Sequence, residues 1–386
     1  MKRIIVKNGL VWQEGRFIPG DVLCEDGIIL AVGQGLGLEN AEILSGEGFH
    51  IIPGIIDAHT HGAVHVDVNA AGVDGLRKLS AFFASQGVTA FQASILTDQD
   101  SVVNQCLRDV QQVMRDKGAG AQLLGAHLEG PFLSREYKGA MPESLLREGD
   151  PELLEGWLNA FPGVVRYVTV SPEVRGVPEM IRRFKRDVVF AIGHSGADYA
   201  TAMEAIQAGA RCITHTFNAM RLFHQHEPAI MGAALESDCW CEAICDGRHL
   251  APGTVRMLLK CKGPHRVMGV TDSIMAAGLP DGKYKLGVND VTVKDGDARL
   301  TDSGVRAGST LTGIQGLRNV MKFTGKSLEE VVPLFTVNPA QALRIENRKG
   351  SLAPGKDGDF LLLDGENQVA ATLVRGEMVY RRAEAG

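Results

Sequence analysis

The order of apolar and polar positions divides the chain into three parts. Residues 1–53 and 350–386 show short apolar stretches broken by glycine turns, as in "RIIVKNGLVW", "AEILSGEGFHII" and "GDFLLLDGENQVAATLVRGEMVYRR". Such runs predict strands. Neither end has enough apolar residues for a core alone, so the two ends predict one small β-sandwich domain built from both termini. "GQGLG" (33–37) opens no helix and reads as a turn rather than a phosphate loop. Between the ends, over 54–349, strand-like runs alternate with helix-like segments such as "DSVVNQCLRDVQQVMRDK" and "GTVRMLLKCK". The strand-like runs are "IIDAH", "GVTAFQASIL", "AQLLGAHLE", "VVRYVTVSPE", "VVFAIGH", "ARCITH", "CWCEAICDGRH" and "HRVMGVTD". Eight β/α repeats of this kind predict an α/β fold, a closed (β/α)8 TIM-like barrel.

Polar residues fall at the carboxyl ends of these runs. His59 and His61 follow the first, Glu129 the third, His194 the fifth, His215 the sixth, His249 the seventh and Asp272 the eighth. Barrel enzymes build their active sites at that face. In "PGIIDAHTHG" the two histidines are spaced i, i+2, which puts them on one face of a strand. Four imidazoles (59, 61, 194, 215) with Glu129 and Asp272 could hold one or two divalent ions per chain. Such a donor set suits zinc, iron, cobalt, nickel or manganese, with zinc or iron foremost. Glu129 could supply the anion between two ions. A divalent ion lowers the pKa of its water toward ~7, giving a hydroxide that attacks a carbonyl carbon. Asp272 could take the water's proton and hand it to the leaving nitrogen. The reaction class is metal-assisted amide hydrolysis.

Other polar residues have plainer readings. "GHSGA" (193–197) is not a nucleophile elbow, so Ser195 reads as the neighbour of a ligand. His127 reads as a hydrogen-bonded core residue, His265 as surface, and Asp67 and Asp98 as caps or loop acids. Asp57 either points into the barrel or orients a ligand. Lys138 sits either near the substrate or in solvent.

Composition narrows the function classes. The chain has 386 residues, 45% hydrophobic and 22% charged, with a net charge of −6. No long basic block occurs, so nucleic acid is not the expected partner. "RRFKRD" (182–187) reads as a solvated helix face. Seven scattered cysteines without a CxxC pair read as reduced, mostly buried thiols, including the "CWCEAIC" group. No segment reaches ~18 apolar residues, so no membrane contact is expected and the cytoplasm is the expected location.

"PGIIDAHTHG", "HLEGPF" (127–132), "GHS" (193–195), "HTFNAM" (215–220), "DGRH" (246–249) and "VTDS" (270–273), with a closing "TVNPAQAL", resemble the amidohydrolase superfamily. More narrowly they resemble the N-acetylglucosamine-6-phosphate deacetylase family, in order through nearly the whole chain. The resemblance implies a main ion on Glu129, His194 and His215, a second on His59 and His61, and Asp272 as acid/base. It implies that Asn218 and Ala219 touch the sugar phosphate and that His249 touches the sugar. It implies an amino-sugar phosphate as substrate and a homodimer whose partner chain completes the phosphate pocket.

Three positions depart from the family pattern. Met141 follows Ala140 where many members carry a histidine that orients the acetyl group. His226 stands where an arginine usually grips the phosphate. Arg306 replaces a frequent leucine in the "GVRAGST" loop, beside Ala307 and Gly308 at the expected substrate pocket. Histidine matches phosphate geometry less well than arginine. Arg306 or His224 could compensate, and the changes could equally be neutral. A shifted substrate is the alternative: N-acetylgalactosamine 6-phosphate or an unphosphorylated amino sugar. A cyclic-amide amidohydrolase is a weaker alternative, because "VVRYVTVSPE" has no lysine to be carboxylated. A non-catalytic relative is also a weaker alternative, because every ligand position is filled.

Overall fold

The computed structural model describes residues 2–37, 39–116 and 120–383. Five strands from the amino end (Arg3–Gln13, Arg16–Glu25, Ile28–Gly33, Glu42–Ser45, His50–Pro53) join three from the carboxyl end (Phe360–Leu363, Val369–Val374, Glu377–Arg381). They form one connected sheet. Its seam is the antiparallel pairing of Ile51 with Leu362 and Ile52 with Leu361. One face buries Ile4, Val6, Val11, Val22, Ile29, Ile51, Phe360, Leu362 and Leu373 around a shared core. Neither end could bury these side chains alone, which is why the chain closes on itself here. Two of its hairpins turn on Glu14–Gly15 and Asp26–Gly27, all four residues having φ between 48° and 89°. Paired left-handed residues give a turn whose twist matches that of the flanking strands.

The eight expected barrel strands are all present: Ile55–Thr60, Val88–Leu96, Gln122–Glu129, Val165–Val170, Val189–Ile192, Cys212–Ile213, Trp240–Ala243 and Val267–Gly269. They are parallel and neighbour one another in chain order. The ring closes between its last and first members. Asp272 N donates to the His59 carbonyl at 2.8 Å, and His61 N donates to the Ser273 carbonyl at 2.7 Å. Most helices between strands bury one stripe, while Ala229–Glu236 is buried on several sides. In Asp100–Val113 the buried positions are Val103, Cys106, Leu107, Val110 and Val113, the spacing of one helical face. Arg182 and Arg183 end the helix Val177–Phe184 and pair with Glu204 and Glu155 in solvent. All seven cysteines are free, and only Cys261 is exposed.

A three-stranded antiparallel unit (Gly282–Leu286, Asn289–Lys294, Asp297–Leu300) follows the eighth barrel strand. The sequence reading does not anticipate it. Its inner side chains Leu286, Val291, Val293 and Ala298 pack on Leu133, Met141, Ile274 and Ala307. It therefore leans on the loops after the third and eighth strands, beside the carboxyl ends of the barrel.

Candidate metal centre

Five barrel strands or the loops leaving them deliver six buried side chains to one point. His59 and His61 sit at the end of the first strand, with Nε2 atoms 3.1 Å apart. His194 and His215 follow the fifth and sixth, with Nε2 atoms 3.0 Å apart. Glu129, at the end of the third, lies between the pairs. Its Oε1 is 3.3 Å from both His194 Nε2 and His215 Nε2. Its Oε2 is 3.3 Å from His61 Nε2. Asp272 Oδ1 stands 3.2 Å from His61 Nε2 and 3.6 Å from His59 Nε2. Two ligand sets share Glu129: with His59 and His61, and with His194 and His215.

The backbone reaches this arrangement through left-handed residues. His194, His215 and Asp272 have φ of 47°, 25° and 47°. These conformations are uncommon for non-glycine residues and gather at functional sites. The sixth strand is cut to two residues because the chain turns out of the ladder to present His215. At Gly308, with φ 59°, a Cβ would lie 2.3 Å from Ile274 Cγ2 and 3.0 Å from the Asp272 carbonyl. Only glycine lets that loop pass behind the acid.

The outer contacts fix the tautomers. His59 Nδ1 meets Glu242 Oε2 at 3.0 Å, His61 Nδ1 the Ser94 carbonyl at 3.1 Å, and His194 Nδ1 the Tyr137 carbonyl at 2.8 Å. A carboxylate or carbonyl only accepts, so each Nδ1 carries the proton and each Nε2 keeps its lone pair. Those lone pairs face one another and two carboxylates at little more than 3 Å. Such a cluster calls for a cation at its centre, and this donor set fits one or two divalent ions.

The charges agree with this reading. Burial resists charge on Glu129, yet His59, His194 and His215 draw its pKa well below the usual carboxylate range. Burial also resists charge on Asp272, yet His59 and His61 bring it down to about 2. His61 is pushed the other way, to about 9, by Asp272 and Glu129 against the opposing effect of burial. The carboxylate field that would hold a proton on His61 would equally hold a metal ion.

The other expected residues make contacts of their own. His249 Nδ1 is held by Asp246 Oδ2 at 2.7 Å. Asn218 Nδ2 donates to the His215 carbonyl at 3.1 Å, and the Ala219 carbonyl accepts from Ser195 N at 3.0 Å. The Ala140 carbonyl accepts from Asn289 Nδ2 at 2.8 Å, tying that loop to the three-stranded unit. Met141 is buried in the apolar cluster under the same unit, and Ala307 belongs to that cluster too. His226 is exposed in the loop that carries Leu222 and Phe223. Arg306 is not free: Nε and Nη2 donate to Asp297, and Nη1 to the Arg248 carbonyl at 3.1 Å.

His127 lies beneath the centre, bound to Ser94 Oγ and Thr169 Oγ1 at 2.8 Å each. Burial and the neighbouring His59 hold its pKa well below the ordinary value. Asp57 accepts from Thr271 Oγ1 at 2.5 Å and from His59 N at 3.3 Å, so it braces the first strand against the eighth. Sequence reasoning missed Glu242, which it absorbed into the "CWCEAIC" core. An acid inside an apolar strand run was the available signal, since a buried carboxylate must find partners. A cavity of about 830 Å³ between the terminal sheet and the first two barrel helices has none of these side chains in its lining.

The description "Amidohydrolase family" fits residues 50–379. An N-acetylglucosamine-6-phosphate deacetylase of Vibrio furnissii is 34% identical over 380 residues, 98% of this chain and 94% of that protein. An N-acetylgalactosamine-6-phosphate deacetylase of Escherichia coli O157:H7 is 32% identical over 383 residues, 98% and 99% of the two chains. A mutant N-acetyl-D-glucosamine-6-phosphate deacetylase of Mycobacterium smegmatis, solved in complex with N-acetyl-D-glucosamine-6-phosphate, superposes with a TM-score of 0.90 at 33% identity, over 98% of this chain and 100% of that one. The chain belongs to the amidohydrolase family and, within it, to the N-acetylglucosamine-6-phosphate deacetylase group, and it is an amide hydrolase.

Proposed function

We propose that the protein removes the acetyl group from N-acetylglucosamine 6-phosphate, giving glucosamine 6-phosphate and acetate. The observation that carries the chemistry is the division of the Glu129 carboxylate between two histidine pairs, with Asp272 3.2 Å from His61. Glu129, His194 and His215 would hold one divalent ion, zinc or iron, and His59 and His61 a second. Bound there, the metal supplies Lewis acidity and makes water a nucleophile near neutral pH.

The chain's own residues do the rest. Asp272 takes a proton from the attacking water as the C–O bond forms, then passes it to the amide nitrogen as the C–N bond breaks. Asp246 fixes the His249 ring so that Nε2 can contact the sugar. Asn218 and the backbone at Ala219 sit beside His215, where they would meet the sugar phosphate. Ala140 and Gly308 would shape the wall, and Met141 and Ala307 would support it from the apolar cluster under the three-stranded unit. His226 stands at the phosphate end. Arg306, spent on Asp297, supports that end through the fold. The pocket would be completed by a second copy of the chain in a homodimer. Leu222 and Phe223, 75% and 54% exposed beside His226, suit such a contact. Light scattering on the purified protein tests this. Seven free cysteines suit a reducing compartment such as the cytoplasm.

The test compares acetate release from N-acetylglucosamine 6-phosphate, N-acetylgalactosamine 6-phosphate and N-acetylglucosamine, using metal-replete protein. A kcat/KM at least about tenfold higher for the first supports this reading, the gap being about 1.4 kcal/mol of transition-state binding. Equal or reversed values would move the substrate and leave the amide chemistry in place.

A further inference from the structure

Glu242 lies on the seventh barrel strand and is completely buried. Its Oε2 accepts from His59 Nδ1 at 3.0 Å and from the His215 backbone N at 2.8 Å. Its Oε1 accepts from the Tyr167 hydroxyl at 2.7 Å. One oxygen thus touches both histidine pairs, a ring in the first and the backbone of the second. A buried carboxylate is tolerated only when its partners satisfy it, and these three donors do.

We infer that Glu242 is a positioning residue that aligns the two halves of the metal centre. Its bond to Nδ1 leaves the His59 lone pair on Nε2, facing Glu129 and Asp272. Its bond to the His215 peptide holds that residue in its left-handed turn. The contact matters more for His59. The first strand ends there, and no other partner of His59 Nδ1 is found among the described residues. Without the acceptor the ring could rotate and change tautomer, and Nε2 would no longer be a fixed donor. His215, by contrast, keeps its Nε2 beside Glu129 and His194. The loss should therefore fall on the His59–His61 half. Removing such an outer partner weakens metal binding about 10- to 100-fold. The inference rests on the metal reading proposed above.

The test titrates cobalt(II) into the metal-free full-length protein, followed by visible absorption and by metal per chain after dialysis. The wild type is expected to take two ions. Glu242→Ala is expected to keep the first constant and weaken the second about 10- to 100-fold. Glu242→Gln is expected to restore most of the loss. Its amide oxygen can accept from both His59 and His215, and its NH2 can donate to the Tyr167 oxygen. A purely structural role would not separate the two binding steps. If Glu242→Ala fails to fold, Glu242→Asp replaces it, since the shorter side chain draws the acceptor away from His59. Two unchanged constants in a folded Ala or Asp variant would overturn the inference and leave the metal reading standing. A single ion on the wild type would overturn the inference and leave the metal reading with its first site alone, and no ion at all would overturn both.

Discussion

Arg306 grips Asp297 with two parallel bonds, Nε to Oδ1 at 2.7 Å and Nη2 to Oδ2 at 3.0 Å. This fork–fork pair ties the loop after the eighth strand to the last strand of the three-stranded unit, and Nη1 extends the tie to the Arg248 carbonyl. Arg306, followed by Asp297's other partner Arg299, holds the Asp297 carboxyl down at about 2, against an ordinary value of 3.8. A depressed carboxylate stabilises the fold above its unfolded pKa and ceases to do so as pH falls through its folded one. Asp297→Asn should lower the melting temperature at pH 7 by about 1–4 °C, as a partly exposed pair is worth at most about 1 kcal/mol. The difference from the wild type should shrink between pH 4 and pH 2. A melting series over that range checks it.

Because its guanidinium is occupied, Arg306 should not grip the phosphate directly. Arg306→Met is expected to change the KM for a 6-phosphorylated substrate by less than about twofold. A rise of about tenfold or more would return Arg306 to the phosphate pocket.

His226 offers a gain-of-function test. An arginine there would present two parallel donors to a phosphate where histidine presents one. His226→Arg should raise kcat/KM for N-acetylglucosamine 6-phosphate about 3- to 30-fold and leave the unphosphorylated sugar unchanged, measured as acetate release. A parallel rise for both sugars would show that position 226 does not meet the phosphate.

Asp272→Asn would remove the proposed proton acceptor and keep the shape. It should lower kcat about 10²- to 10⁴-fold with little change in KM. A variant that keeps most of its rate would place the acid/base elsewhere.

Removal of the proposed metal should loosen the fold, because donors delivered by five strand ends come together only when the chain is folded. A ligand present at 100 times its Kd adds about 2.7 kcal/mol. A chelator should therefore lower the melting temperature by several degrees, and added zinc should restore it. Scanning calorimetry with and without chelator reads this directly.

Thiol labelling checks the packing. Cys24, Cys106, Cys241 and Cys245 are pushed up to about 12, chiefly by burial. Cys261 alone is exposed. A thiol reagent at pH 8 should label one cysteine quickly in the native chain and all seven after denaturation.

The sequence by itself determined the barrel, because each strand run is a mostly apolar stretch bounded by turns and the helices keep their own period. It also determined the donors. His59 and His61 share a face through period-two spacing, and the other acids and imidazoles stand at strand ends, where a parallel barrel must bring them together. The joining of both termini was legible because neither half could bury its apolar face alone. Only tertiary structure decided the rest. Glu242 looks like a core position until the ring closes and sets His59 and the His215 peptide against it. Arg306 looks like a free cation until Asp297 is folded beside it. Met141 looks like a pocket residue until the three-stranded unit covers it. Glu242 and Met141 depend on groups far away in sequence, and Arg306 on an acid nine residues back that only the folded unit brings beside it; no local periodicity records which group will satisfy a buried charge or cover an apolar one.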